Sequence, residues 1–221
     1  MNIDKEEGMG KTHYEMKTDR PQNMNEQQML QLSNIHFAPY IQLATALIGK
    51  ARHAGGNMFR HQMDTFAILL DYGYIDPVLL KASIIHDTIE DIPGFIPELI
   101  TNADDDGPAV LDLVREVTRK EEESKKEFLC RILNEGSQLA KILKCADRIS
   151  NMISLGYVTD PQFIERYCDE TEYFILPMAI QVDFPMYQEL INLIITRRRY
   201  LEDGGYFDNR HKETTSADST K

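Results

Sequence analysis

No stretch of this chain approaches the 18 or more consecutive apolar residues of a membrane-spanning helix. Its first 25 residues are polar and charged where a secretory signal is apolar, so nothing in the sequence marks the chain for export. Cationic residues are also scarce: 24 Lys and Arg face 36 Asp and Glu, a formal net charge of -12. A nucleic-acid backbone would meet a mostly repulsive surface, which argues against a DNA- or RNA-binding module. Cysteine is limited to Cys130, Cys145 and Cys168, an odd number without C-x-x-C spacing, each beside apolar residues on a predicted helix. These read as reduced core thiols of a cytoplasmic protein. Convincing period-2 strands and internal repeats are lacking as well.

What remains is a chain of 221 residues, 42% hydrophobic and 27% charged, large enough for one full core. Residues 1–30, rich in Met, Asn, Gln and charge, read as a flexible N-terminal extension, and residues 204–221 as a flexible tail. Between them, 31–203 is a succession of helical patterns over roughly 39–53, 58–71, 77–91, 108–119, 124–134, 138–155, 161–176 and 185–202. Several start at a proline, as at Asp76-Pro77, Asp160-Pro161 and Phe184-Pro185, where the missing N–H costs nothing. Gly55, Gly73, Gly94, Gly136 and Gly156 punctuate them. The expected fold is all-α, a single bundle-like domain. Gly10-Lys11-Thr12 imitates the end of a phosphate-binding loop, but Lys5 stands where that motif needs its first glycine.

The segment 76–94 carries the first chemical signal. It begins at Asp76-Pro77, has an apolar middle and stops at Pro93-Gly94, yet its last turn holds Asp87, Glu90 and Asp91. Helix C-termini favour cations by about 0.3–1 kcal/mol each, so three carboxylates there oppose the macrodipole. A bound divalent cation would turn that repulsion into attraction; a solvated acidic helix end is the alternative. Ile84-Ile85 before His86 implies that the turn lies against the core. On a helix, His86 and Asp87 diverge by about 100°, so they converge on one ion only at the rim of a cleft. Glu90 and Asp91 lie one turn beyond them, a spacing suited to a general base or to positioning water.

A second signal lies in 137–155. Leu139, Ile142, Leu143, Ala146, Ile149 and Ile153 form an apolar stripe, flanked by Asp147, Asn151 and Ser154 at i, i+4 and i+7. That polar row is either an exposed boundary or the wall of a site, with Asp147 a hard oxygen ligand and Asn151 able to donate and accept. Among the six histidines, His13 and His211 fall in the flexible ends and His36 precedes the first strong helix. His61 shares a helical stripe with Thr65 and Ile68, whereas His53 adjoins the Gly55-Gly56 break, so His61 is the preferred partner of His86.

Together, His61, His86-Asp87 and Asp147 resemble the H…HD…D signature of HD-domain metal-dependent phosphohydrolases. His86-Asp87-Thr88-Ile89-Glu90-Asp91 and Lys144-Cys145-Ala146-Asp147-Arg148-Ile149-Ser150-Asn151-Met152 are similar to the HDTVED and KLADRLHNM motifs of the hydrolase domain in RelA/SpoT homologues. Val110–Thr118 and Glu170–Ala179 match in the right order, and the resemblance covers about residues 40–200. It implies a stand-alone small alarmone hydrolase that removes pyrophosphate from the 3′ position of ppGpp and pppGpp, usually with manganese. On that resemblance His61, His86, Asp87 and Asp147 are the metal ligands, and Glu90 and Asp91 orient and deprotonate the attacking water. Asn151 and Ser154 touch the nucleoside, while Arg60, Lys144 and Arg148 assist with the phosphates. Two His and two carboxylates suit manganese, iron or zinc better than magnesium.

The chain departs from the family pattern in the loop before the first ligand. Only seven residues separate His53 from His61, Gln62 follows His61 where the family has proline, and Ile153 replaces a basic position. This leaves two other functions open: an HD phosphohydrolase for another nucleotide, or a non-catalytic nucleotide-sensing module. Gly-Tyr-Pro does not occur, which argues against a cyclic-dinucleotide phosphodiesterase of the HD-GYP kind. The expected partner is a small-molecule nucleotide, with no nucleic acid and no membrane. The sequence does not reveal an oligomeric state.

Overall fold

A computed structural model describes residues 16, 17, 19 and 23–203. Gly10-Lys11-Thr12, His13, His211 and the tail 204–221 lie outside the described residues. The described chain is helical throughout: α1 Glu26–Ser33, α2 Ala38–Ala44 running into a 3-10 turn at Thr45–Leu47, α3 Met58–Asp71, α4 Pro77–Ile85, α5 Thr88–Asp91 and α6 Glu98–Thr101. Then come α7 Gly107–Val117, α8 Lys125–Glu135, α9 Gln138–Ser154, α10 Pro161–Glu170, α11 Leu176–Val182 and α12 Phe184–Glu202. Extended pairing among the described residues is confined to two isolated bridges, Lys17 with Asp183 and Ala51 with Asn57. The all-α expectation holds.

Side chains at the helix starts explain the boundaries. Asp76 accepts from the Leu79 N–H and Asp160 from those of Gln162 and Phe163, each followed by the proline that opens the helix. At α12 the cap is Asp183, which accepts from the Met186 N–H, so the helix begins one residue before Pro185. Ser124 and Glu127 form a reciprocal capping box on α8, as Asn25 and Gln28 do on α1. Helix α1 thus takes up Glu26–Leu30 of the segment read as an extension, and Lys17 pairs with Val182 and Phe184.

Two expected long helices are interrupted. The pattern over 77–91 divides at His86-Asp87, the turn between α4 and α5. The pattern over 161–176 passes through a wider π turn at Thr171–Ile175 before α11.

Helix α9 is the axis of the fold, packed against α3, α7, α11 and α12. Its buried face holds Ile142, Leu143, Ala146, Ile149 and Met152, each worth up to about 1.5–3 kcal/mol for the larger side chains. Ile153, expected on that face, is 46% exposed. The stripe continues from Ile149 to Met152, three positions on, which turns Ile153 toward solvent. Cys145 and Cys168 are buried free thiols, and Cys130 is a half-buried one.

Candidate metal centre

Helix α3 delivers His61 and α9 delivers Asp147, and these two helices pack on one another. His86 arrives from the end of α4. One ligand atom each of His61, His86 and Asp147 lies within 4.8 Å of the others, and all three residues are buried. His86 and Asp87 form the turn between α4 and α5, with both residues still in the right-handed helical region of the backbone (φ -59°, ψ -27° and φ -97°, ψ 0°). Asp87 Oδ2 stands 3.3 Å from His86 Nε2 and 3.6 Å from His61 Nε2. The break also changes the reading of the acids. Glu90 and Asp91 close the single-turn α5, Thr88–Asp91, and not the end of a long helix, so the macrodipole that opposes them is that of one turn only.

The imidazoles are fixed from behind. His86 Nδ1 lies 2.8 Å from the Ser83 carbonyl, which can only accept, so Nδ1 carries a proton and Nε2 is the ring nitrogen that faces the cluster. That Nε2 is buried without a hydrogen-bond partner. Ser150 Oγ lies 2.9 Å from His61 Nδ1, while His61 Nε2 faces Asp147 Oδ1 at 3.0 Å. A buried ring nitrogen without a hydrogen-bond partner, beside two carboxylates and a second imidazole, suits a divalent cation of borderline softness.

Asp147 is held at both oxygens. Lys144 Nζ donates to Oδ2 at 2.7 Å and Asn151 Nδ2 to Oδ1 at 2.5 Å. Burial works against its charged form, but Lys144 and the two imidazoles outweigh it and hold the carboxyl well below its usual range. Burial likewise disfavours the charged His86 ring, yet Asp87 and Asp147 push its pKa up to about 9. The imidazole therefore sits in a strongly negative field, the same field that attracts a metal ion.

Around this cluster opens a cleft of about 440 Å³. Glu90 and Asp91 line it, Asp91 bound to Lys50 Nζ at 2.5 Å and Glu90 3.7 Å from Arg119 Nε. Lys144, Arg148 and Asn151 line it too. Arg148 is turned away from open solvent, its guanidinium 4.2 Å above the Tyr167 ring and Nη1 donating to Thr171 Oγ1. Arg60 is not in the cleft: it is exposed beside a separate groove shared with Asp64, Ile68 and Tyr157. Ser154 borders that same groove and donates to the Ser150 carbonyl.

Sequence reading passed over several residues of this site. Ser83 and Ser150 each stand three positions from a candidate ligand, His86 and Asp147, one helical turn away, which is the signal that could have found them. Gln62, counted only as a departure, is fully buried and donates to Asp87 Oδ2 at 2.8 Å. Lys50, Arg52, Arg119 and Lys125 bring four further cations to the cleft. They lie in loops or at a helix start far apart in sequence, and only the fold gathers them.

No family model matches the chain, and no curated protein matches it by sequence. Solved structures do match, 22 chains in all. One is a metazoan orthologue of SpoT, reported to hydrolyse ppGpp and to play a role in starvation responses. It superposes with a TM-score of 0.62 at 20% sequence identity, covering 80% of this chain and 98% of that one. The likeness runs through the backbone architecture: the chain shares the all-α fold of that structure.

Proposed function

We propose that the protein is a metal-dependent phosphohydrolase that removes the 3′-pyrophosphate of guanosine tetra- or pentaphosphate, releasing GDP or GTP and pyrophosphate. The observation that carries this reading is the buried, unpartnered Nε2 of His86 inside a cluster that also holds His61 and Asp147. His61, His86, Asp87 and Asp147 would hold the ion, manganese in the first instance. When bound, such an ion neutralises phosphate charge and lowers the pKa of water from 15.7 to about 7. Glu90 accepts the water proton, and Asp91, fixed by Lys50, orients the nucleophile. Lys50, Arg119, Lys125 and Lys144 offset the repulsion between a polyanionic substrate and an acidic protein. Among the described residues no helix is long and apolar enough to cross a membrane.

The test is product analysis after incubation with Mn²⁺ and ppGpp, beside a panel of common nucleotides, each with and without chelator. Chelator-sensitive formation of GDP and pyrophosphate from ppGpp supports the reading; activity on other nucleotides alone overturns the substrate and keeps the chemistry.

One observation favours that second outcome. Asn151 and Ser154, expected to meet the nucleoside, are both engaged by Arg52, whose Nη2 donates to Asn151 Oδ1 at 2.7 Å and Nη1 to Ser154 Oγ at 3.3 Å. A phosphohydrolase for another nucleotide, using the same metal cluster and a different base surface, is the alternative.

A further inference from the structure

With Asn151 and Ser154 occupied, base recognition needs another surface, and the cleft has one that the motifs do not include. Phe163 and Tyr167, four residues apart on α10, both line it. Their rings are nearly parallel, 24° between planes and 5.7 Å between centroids. Across the mouth, the exposed His53 ring leans on Phe163 at 4.9 Å and 53°. At the inner end the column is closed by cations, Arg148 at 4.2 Å and Lys125 at 4.9 Å from the Tyr167 centroid. His53 has Phe163 as its ring partner among the described residues. It comes from a short turn in which Gly55 and Gly56 take positive φ (86° and 74°), closed by the Ala51–Asn57 bridge.

We infer that Phe163 is the stacking surface for the nucleobase, with His53 covering the base's other face and Tyr167 backing the column. A flat heteroaromatic ring entering between Phe163 and the exposed His53, which swings outward to cover it, exchanges the imidazole contact on Phe163 for a larger π system in the same cleft as the metal cluster. Stacking is tolerant of base identity because every base has a π face, so the column supplies affinity for nucleotides as a class. This inference rests on the reading of the cleft as a nucleotide site, and it does not require turnover.

The test compares binding of GDP, which carries a base, with binding of inorganic pyrophosphate, which does not, by titration calorimetry on the full chain. Phe163→Ala should weaken GDP binding by about 5- to 150-fold and leave pyrophosphate within about twofold. Phe163→Trp should retain GDP binding, and the surface variant His53→Ala should weaken it in the same sense, which separates loss of stacking from loss of fold. Equal weakening of both probes, unchanged GDP binding, or no GDP binding by the unaltered protein would overturn the inference. A protein that hydrolyses nothing yet shows the GDP-selective loss would retain the stacking surface and lose the hydrolase reading.

Discussion

Gln62 Nε2 lies 2.8 Å from Asp87 Oδ2, with the Asp87 N–H 3.5 Å from Gln62 Oε1. The contact joins α3 to the turn between α4 and α5 and aims the Asp87 carboxylate at the two histidines. Gln62→Leu keeps the volume and removes both polar atoms. Groups that orient metal ligands typically contribute 10- to 100-fold to affinity. Manganese titration of this variant should show a loss on the order of tenfold or more; unchanged affinity would reduce Gln62 to a packing residue.

Asp147→Ala should remove most bound metal and all metal-dependent activity. It also strips Lys144 of its partner, leaving a largely buried ammonium uncompensated at a cost of about 3–5 kcal/mol. Helical circular dichroism should persist at low temperature while the melting transition falls. Normal metal content in the variant would sink the ligand assignment.

Glu90→Gln separates binding from chemistry. The side chain is partly exposed and 3.7 Å from Arg119, so the fold should be untouched. Metal content should be normal, and turnover should fall by about 10²- to 10⁴-fold, the usual range for a lost general base. Full turnover in this variant would return Glu90 to the role of a surface carboxylate.

Far from the cleft, Lys81 is buried between Asp104 and Asp106, at 2.6 Å from each, and Tyr40 donates to Asp104 at 2.6 Å. Burial opposes the Asp104 charge, but the bonds from Lys81 and Tyr40 prevail and depress its pKa. A depressed carboxylate contributes stability that is present above its unfolded pKa of about 3.9 and is lost as pH falls through the folded value. Urea unfolding between pH 6 and pH 3 should show that decline, and Asp104→Asn should flatten it at the acid end. Parallel curves for the two proteins would remove Asp104 from the acid transition.

The local order of this protein was legible in its sequence. Helix starts at Asp76-Pro77 and Asp160-Pro161 follow from a capping carboxylate and the fixed φ of proline, interactions that span only three residues. The cluster of His61, His86 and Asp147 was legible too, because each lies in a short pattern with its own periodic context. The break at His86-Asp87 was not. The apolar run before it reads as continuous helix, and the turn is set by the buried packing of Ile84 and Ile85 with the bonds to Ser83 and Gln62. Arg60 was misplaced for a related reason: a residue beside a ligand on α3 points about 100° away from it, into another groove. The sequence alone thus determined where several helices start and which side chains can bind a cation. Tertiary structure decided which ring nitrogen stays unpartnered, which cations reach the cleft and which rings line it, because those depend on contacts between residues 25 to more than 100 positions apart.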